Sequence, residues 1–567
     1  MLFSSSISVT RPRSRPRSLR GTRTIFFVKK LLCSMMLLGL GNAVAADFSP
    51  EVLHRFSVEA ATGGTGELVG AKPHTPPAYN PVDGRLYGVT PEGGLLGIYS
   101  TQYRFTPGAD IPDYEGRSNE VSVVGGFYTG LVVNSDGIVF GGANPLVVPS
   151  PFPYPTAVTG LLFQWSDIEG MKNAFPGEPT KTEYGSAFDL RGLMDVDMDG
   201  NTYFGGGSGR AGMALYRRTS DGELQQLVDF SRAEYVQGSG SSSVYLKGQY
   251  PAAVLFSDID RAVYGITVQT QSGGAGDPNS VPLGDEAAGT LIRIAEADFT
   301  HDGSSTVDVL HTFARNAEGE ILASDSGQHS LVEVGHWLYG TTNKAIWRIR
   351  KNEPGSFTLL HRFGNGEGVD ANDDGSQPHG PLVLAEDGHL YGTTRTSFAK
   401  GSPAQAGTLF RIRLGSEPDH SDDTYEQLHQ FDIETDGAWP VGLTPGPSAN
   451  GIHTLYGATA RGGSTGNTLT NTSAEGLGTV YALNIKIPGN LALNVDQEEI
   501  NYGDKVNLTW NGDYLDNCIA TGEWEGEKLV DGTETITPNQ VGEAVYILDC
   551  QDIHGNDLTA TARVQVN

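Results

Sequence analysis

The sequence predicts an all-β chain: a seven-bladed β-propeller followed by a small β-sandwich. Three observations carry this. A Φ-Tyr/Phe-Gly signature returns seven times, at spacings of roughly 50 to 75 residues. Short alternating segments flank each copy and make four strands per repeat, the pattern of propeller blades. Glycine occupies 75 positions and charged residues only 19% of the chain, which favours strands and turns over long helices. At 567 residues the chain is also long enough for a repeat array and a further domain.

Residues 1–45 read as a secretory leader. Six arginines between Arg11 and Arg23 precede Lys29 and Lys30, an apolar run at 31–40, and Ala43-Val44-Ala45. A basic start, a short apolar core and an A-x-A ending predict export, with cleavage after Ala45 or Ala46. The apolar run is too short to span a bilayer, so no transmembrane segment is expected in the mature chain. The arginine-rich part before Val28 is unusual, and a start near Val28 gives a leader of ordinary size. The expected location is secreted, periplasmic or on the cell surface.

Removing the leader takes away eight basic residues and no acidic ones, leaving 30 basic against 67 acidic, a net charge of −37. Nucleic acid and anionic membranes are poor partners for such a surface. Cys33 leaves with the leader. Cys518 and Cys550 remain as an even pair in an exported protein, and a disulfide is expected between them.

The signatures are Leu86-Tyr87-Gly88, Val139-Phe140-Gly141, Tyr203-Phe204-Gly205, Val263-Tyr264-Gly265, Leu338-Tyr339-Gly340, Leu390-Tyr391-Gly392 and Leu455-Tyr456-Gly457. Several follow an Asp-Gly turn, such as Asp83-Gly84 and Asp387-Gly388, because glycine accepts the positive φ of a tight hairpin. A second strand follows each signature, as at 408–412 and 479–483. A Leu-His-x-Phe strand recurs, as in Leu359-Leu360-His361-Arg362-Phe363. The first copy of that strand, at 52–56, precedes any complete repeat, and the last repeat lacks one. The N-terminal strand is therefore expected to complete the last blade and cover its open edge. The propeller is assigned to 46–486.

The LYGTT signature, the glycine-led GTLFRI and GTVYAL strands and the LHRF strand together resemble the tandem repeats named after Gloeobacter and Verrucomicrobia proteins. The resemblance covers roughly residues 50–485 and is clearest in the last three repeats. It implies a propeller-like, exported protein and no settled activity.

From 487 to 567 the pattern changes. Alternating strands at 505–510, 545–550 and 560–566, with Cys518, Cys550 and Trp510, are similar to a bacterial immunoglobulin-like sandwich. Such modules are spacers or adhesion units.

Chemistry is sought where the repeats diverge. His54, His311, His361 and His429 share the Leu-His-x-Phe position and read as packing; His389 and His453 flank the signature strand and read likewise. Aligning the segments before each blade's first strand places His74, Tyr128, Tyr250, His329, His379 and Trp439 at near-equivalent positions, with Phe188 and Arg191 in the remaining repeat. If that strand is innermost, these groups line one mouth of a central channel and can stack on sugars or hold an anion. The alternative is that they plug the channel.

Two acidic loops have calcium-like spacing: Asp195, Asp197 and Asp199 before Gly200, and Asp370, Asn372 and Asp374 before Gly375. Neither carries a glutamate at the twelfth position, and the first coincides with a hairpin turn. Calcium is the one cofactor the sequence suggests. No G-x-S-x-G, HExxH or P-loop occurs.

The leading functional expectation is a secreted or surface propeller that binds or scaffolds a glycan or surface protein. The enzymatic alternative is a polysaccharide lyase or hydrolase. It would use His74, Tyr250, His329 and His379 for acid–base work and Arg191 to neutralise a uronate.

Overall fold

The computed structural model describes residues 48–56, 72–90, 101–108, 113–115, 129–143, 161–166, 170–173, 188–208, 212–232, 236–237, 244–245, 247, 250–268, 289–314, 329–363, 374–396, 406–416, 420–463 and 476–567. Among them the chain is all-β, and its one helical piece is a 3-10 turn at Glu296–Asp298. The leader, the loop at 269–288 and the loop tip at 464–475 lie outside the described residues.

Seven four-stranded groups follow one another, each antiparallel and in chain order. Their first strands are Ala78–Asn80, Val132–Val133, Phe188–Val196, Tyr250–Ser257, Leu331–Val334, Ser376–Leu384 and Ala438–Ala449. The third and fourth groups are joined into one eight-stranded sheet by a parallel pairing of Leu193 with Ala253. The seventh is completed by the N-terminal strand Glu51–Arg55, which pairs antiparallel with Thr479–Lys486. That pairing is the one expected from the missing pieces of the sequence pattern. First strands of successive groups lie against each other, and that of the seventh lies against that of the first.

Apolar clusters form between neighbouring sheets. Tyr264, Ile266, Leu338 and Trp347 join the fourth and fifth; Tyr339, Phe363, Leu390 and Phe410 the fifth and sixth. Tyr391, Phe431, Leu455 and Tyr481 join the sixth and seventh, while Phe56, Tyr456, Leu86 and Tyr103 join the seventh and first. Each fully buried ring of this size stabilises the packing by about 1.5–3 kcal/mol.

The signature now has a physical reading, residue by residue. Its tyrosine hydroxyl donates to the aspartate of the preceding turn: Tyr87 to Asp83 (2.5 Å), Tyr264 to Asp260 (2.7 Å) and Tyr391 to Asp387 (2.7 Å). In the fifth sheet the turn has no aspartate, and Tyr339 donates instead to Asp423 of the sixth, at 2.9 Å. The signature glycine stands opposite a large ring on the next strand. Gly88 pairs with Tyr103, Gly340 with Trp347, Gly392 with Phe410 and Gly457 with Tyr481. A Cβ at Gly392 would come within 2.5 Å of Phe410 Cζ, so only glycine leaves room for the ring. The following threonines pair across strands, Thr394 with Thr408 at 2.8 Å and Thr459 with Thr479 at 2.9 Å. The Leu-His-x-Phe histidines are packing groups: His361 stacks on Tyr425 at 3.7 Å and bonds Asp374 at 2.9 Å, and His311 stacks on Phe357 at 3.8 Å. His389 and His453 accept backbone N–H bonds from Leu414 and Glu386 through Nδ1.

From residue 490 the strands form two further sheets. One holds Asn490–Val495, Val506–Asp513 and Gly532–Ile536; the other holds Glu499–Ile500, Asp557–Val566, Gly542–Asp552, Leu515–Gly522 and Gly526–Lys528. They share one core, in which Leu508 and Trp510 of the first meet Leu548 and Val564 of the second. Cys518 and Cys550 are disulfide-bonded as expected. The bond joins directly opposed residues of adjacent strands in one sheet rather than bridging the two sheets.

This C-terminal part is tied to the seventh sheet at the turn Asn450-Gly451. Ile487 N donates to Gly451 O at 2.8 Å, and His554 Nε2 lies 3.1 Å from both Gly451 O and Ile487 O.

Candidate functional site

The candidate residues enter the fold where each first strand begins. Three non-glycine residues in this zone hold left-handed backbone: Lys72 (φ 54°), Gln377 (φ 58°) and Trp439 (φ 59°). Each is followed by proline, at Pro73, Pro378 and Pro440. Side chains rarely tolerate this geometry, which costs of order 1 kcal/mol or more and concentrates at ligand clamps. Trp439 N donates to Ala406 O of the preceding sheet (2.9 Å), as Lys72 N donates to Leu477 O (2.8 Å).

The threonine network fixes the register of this zone. Thr290, Thr408 and Thr479 donate through Oγ1 to the carbonyls of Lys247, Asp374 and Asp436. Those acceptors stand three residues before Tyr250, Gln377 and Trp439. Trp439 is therefore level with Tyr250 and Gln377, and His379 sits two residues further along. The offset is hidden in the sequence because the first strands bulge, between His379 and Val383 and again between Pro440 and Leu443.

Several of these residues nevertheless gather. His379 is pushed down to about 3 by burial, reinforced by the Arg395 guanidinium and the imidazoles of His74 and His329. Its ring is thus uncharged at neutral pH, with two other histidines and an arginine around it. His329 is buried and His74 exposed, so the group runs from the interior to the surface. Trp439 belongs to the same neighbourhood through Arg395, whose guanidinium lies 4.4 Å from the indole centroid. Arg461 lies 3.4 Å from that centroid.

The two arginines were not picked out from the sequence. Arg395 is the last residue but one of the sixth sheet's signature strand, Leu390–Thr396, and Arg461 is the last of the seventh's, Ile452–Arg461. A basic residue five or six places after the signature's first residue, as also at Lys344 of the fifth repeat, was the available signal. Tyr250 packs instead with the apolar cluster around Ala253 and Trp347. Arg191 lies in the strand Phe188–Val196, with its Cα opposite Gly205. Tyr128 is outside the described residues.

The acidic loops have structural partners. Asp197 accepts bonds from Asn201 N, Asn201 Nδ2 and Tyr203 Oη, at 2.8, 2.7 and 2.9 Å. Asp195 Oδ2 accepts from Phe256 N of the fourth sheet at 2.7 Å; burial pushes its carboxyl up to about 7 despite the backbone bonds to Phe256 and Val196. Asp199 stands 3.5 Å from Arg261. Of the second loop, Asp374 bonds His361, while Asp370 and Asn372 are outside the described residues.

No protein-family model and no curated protein matches the chain. Among solved structures it is similar to the extracellular domain of a hybrid two-component system from B. thetaiotaomicron, at 10% identity and a TM-score of 0.42, covering 92% of this chain and 58% of that one. It is also similar to PorZ, a surface component of the type-IX secretion system of Porphyromonas gingivalis, at 13% identity and a TM-score of 0.41, covering 89% and 60%. A third is the polysaccharide lyase Uly1, at 10% identity and a TM-score of 0.30, covering 69% and 93%. The chain spans about six-tenths of the length of the first two. Among the described residues no helix is long and apolar enough to cross a membrane.

Proposed function

We propose that this chain is a secreted or cell-surface protein that binds a glycan at the mouth of a closed seven-bladed β-propeller, with an immunoglobulin-like sandwich as its C-terminal spacer. The ring reading is supported by the succession of sheets, by the contact of the seventh first strand with the first, and by the N-terminal strand in the last sheet. The repeat-family assignment rests on the LYGTT, GTLFRI and LHRF segments.

One observation carries the binding reading: the Arg395 guanidinium lies 4.4 Å from the Trp439 indole centroid, and the charges of Arg395, His74 and His329 all act on His379. Imidazoles, indole and guanidinium converging where the backbone is strained suit a ligand with hydroxyls and a planar or charged group. The test is a screen of the purified full chain against immobilised glycans, beside a Trp439→Ala variant whose fold is checked by its melting curve. Wild type retains a glycan and the variant loses about tenfold or more in affinity, as expected for an anchoring aromatic. No retained glycan, or an unaffected variant, overturns the proposal.

A second reading, a uronate lyase, is favoured by the uncharged His379 ring beside Arg395. Such a ring can take the C5 proton of a uronate as the C4–O bond to the leaving sugar breaks and water protonates the departing oxygen, while the guanidinium neutralises the carboxylate, the role sequence reasoning gave to Arg191. Ultraviolet absorbance of unsaturated products on a panel of uronate polymers decides it, and silence on all of them removes it. A further proposal is calcium binding at Asp195–Asp199 or Asp370–Asp374. A chelator that leaves the melting curve unchanged removes that one.

A further inference from the structure

We infer that the left-handed residue before proline at the start of the first, sixth and seventh sheets is a ligand-reading position, and that Gln377 sets which glycan the mouth accepts by hydrogen-bonding sugar hydroxyls beside Trp439. The inference rests on the reading of the mouth as a glycan site and adds to it a residue outside the histidine group. Four sheets open on the pattern Gly-x-X-Pro: Gly70-Ala71-Lys72-Pro73, Gly248-Gln249-Tyr250-Pro251, Gly375-Ser376-Gln377-Pro378 and Gly437-Ala438-Trp439-Pro440. The frame recurs, while X is lysine, tyrosine, glutamine and tryptophan in turn. Tyr250 has ordinary backbone and packs with its apolar cluster; the other three are left-handed.

The main chain holds this position whatever side chain it bears. Trp439 N donates to Ala406 O and Lys72 N to Leu477 O, and each acceptor is followed by a glycine, Gly407 or Gly478. The next residue, proline, seats on that glycine: a Cβ on Gly407 would lie 2.6 Å from Pro440 Cδ, and one on Gly478 would lie 3.1 Å from Pro73 Cδ. At φ 54°, 58° and 59° for Lys72, Gln377 and Trp439, glycine would sit without strain. The strain therefore does nothing for the backbone that glycine would not do better, and it is the side chains that it keeps. Gln377 is exposed, and its amide has no hydrogen-bond partner among the described residues. Three residues on, the first strands of the sixth and seventh sheets touch, since a Cβ on Gly380 would stand 2.4 Å from Gly442 Cα. Gln377 and Trp439 each lie no more than about 10 Å along their strands from that contact, so a glycan chain at the indole meets the amide next. An amide both donates and accepts, as a sugar hydroxyl does.

The test compares full-chain wild type, Gln377→Gly, Gln377→Asn and Trp439→Ala on immobilised dextran, mannan, xylan, galactan and polygalacturonate, with a melting curve for each variant. Wild type is expected to be retained by at least one polymer. Gln377→Gly should melt no lower than wild type, because glycine relieves the left-handed backbone, yet bind that polymer roughly three- to tenfold more weakly. Gln377→Asn keeps an amide in a residue that enters this backbone readily, and should recover part of the loss; no recovery overturns the hydrogen-bonding role. A Gln377→Gly variant that melts clearly lower reveals a packing residue and overturns the inference, as does one that binds every polymer as wild type does. In both cases the glycan reading stands if Trp439→Ala still loses binding. Wild type retained on none of the polymers overturns the glycan reading itself.

Discussion

Gly392→Ala should destabilise the sixth sheet through a steric conflict that a second substitution relieves. The added Cβ would meet Phe410 Cζ at 2.5 Å and Leu382 Cδ2 at 2.7 Å, where carbon contacts ordinarily lie at about 3.5–4 Å. Phe410 is fully buried, between Trp337, Leu390 and Ile412, so its ring cannot yield the missing ångström freely. Overpacking of this kind costs about 1–3 kcal/mol. Phe410→Leu alone removes a buried ring and is also destabilising, but a leucine ends short of the new methyl. The double variant should therefore be more stable than the two single losses predict, by about 1 kcal/mol or more. Urea unfolding midpoints of wild type, both singles and the double give the coupling. Costs that add to within about 0.5 kcal/mol would refute the glycine–ring explanation of the signature.

Four further outcomes are expected. Reducing Cys518–Cys550, which closes a separation of 32 residues, should cost the C-terminal sheets roughly 3.5 kcal/mol of chain-entropy stabilisation and lower their melting transition; an unmoved transition under reductant contradicts this. Tyr391→Phe removes the 2.7 Å bond to Asp387 and should cost about 1–2 kcal/mol by thermal melting, a loss absent when an exposed tyrosine such as Tyr502 is changed likewise. His379 is held near 3 in the fold against an ordinary 6.5, so the unfolded chain binds more protons between those values. Its share of stability is complete above about pH 6.5 and is lost as pH falls towards 3, and His379→Gln should flatten that slope in a pH series of melts. Asp195 works in the opposite sense: with its carboxyl raised to about 7, its contribution is lost as pH rises from about 4 through 7, and Asp195→Asn should remove that decline.

What could be read in the amino acids was whatever recurs with a recurring partner. The tyrosine, glycine and threonines of LYGTT are legible because aspartate, ring and threonine answer them in sheet after sheet. The N-terminal strand was legible because two incomplete pieces fitted each other. The candidate site was legible only in part. His74, His329 and His379 stand out as departures from the pattern, yet Trp439 aligned with His379 is two residues out, since strand bulges consume residues without changing composition. Arg395 and Arg461 meet at the ring of Trp439, and such adjacency is set by how consecutive sheets pack. The substitution of Asp423 for a missing turn aspartate, and a disulfide lying within one sheet, are likewise products of three-dimensional neighbourhood.

The strand Ala438–Ala449 carries Trp439 at one end and leads at the other into Asn450-Gly451, where His554 and Ile487 tie down the C-terminal sheets. Twelve residues of extended chain span about 35 Å, so the arginine pair and the C-terminal attachment lie at opposite ends of one rod. Tension applied through the C-terminus enters the seventh sheet, whose final strand is the one borrowed from the N-terminus. A pull on the C-terminus would first test the seam at Glu51–Arg55.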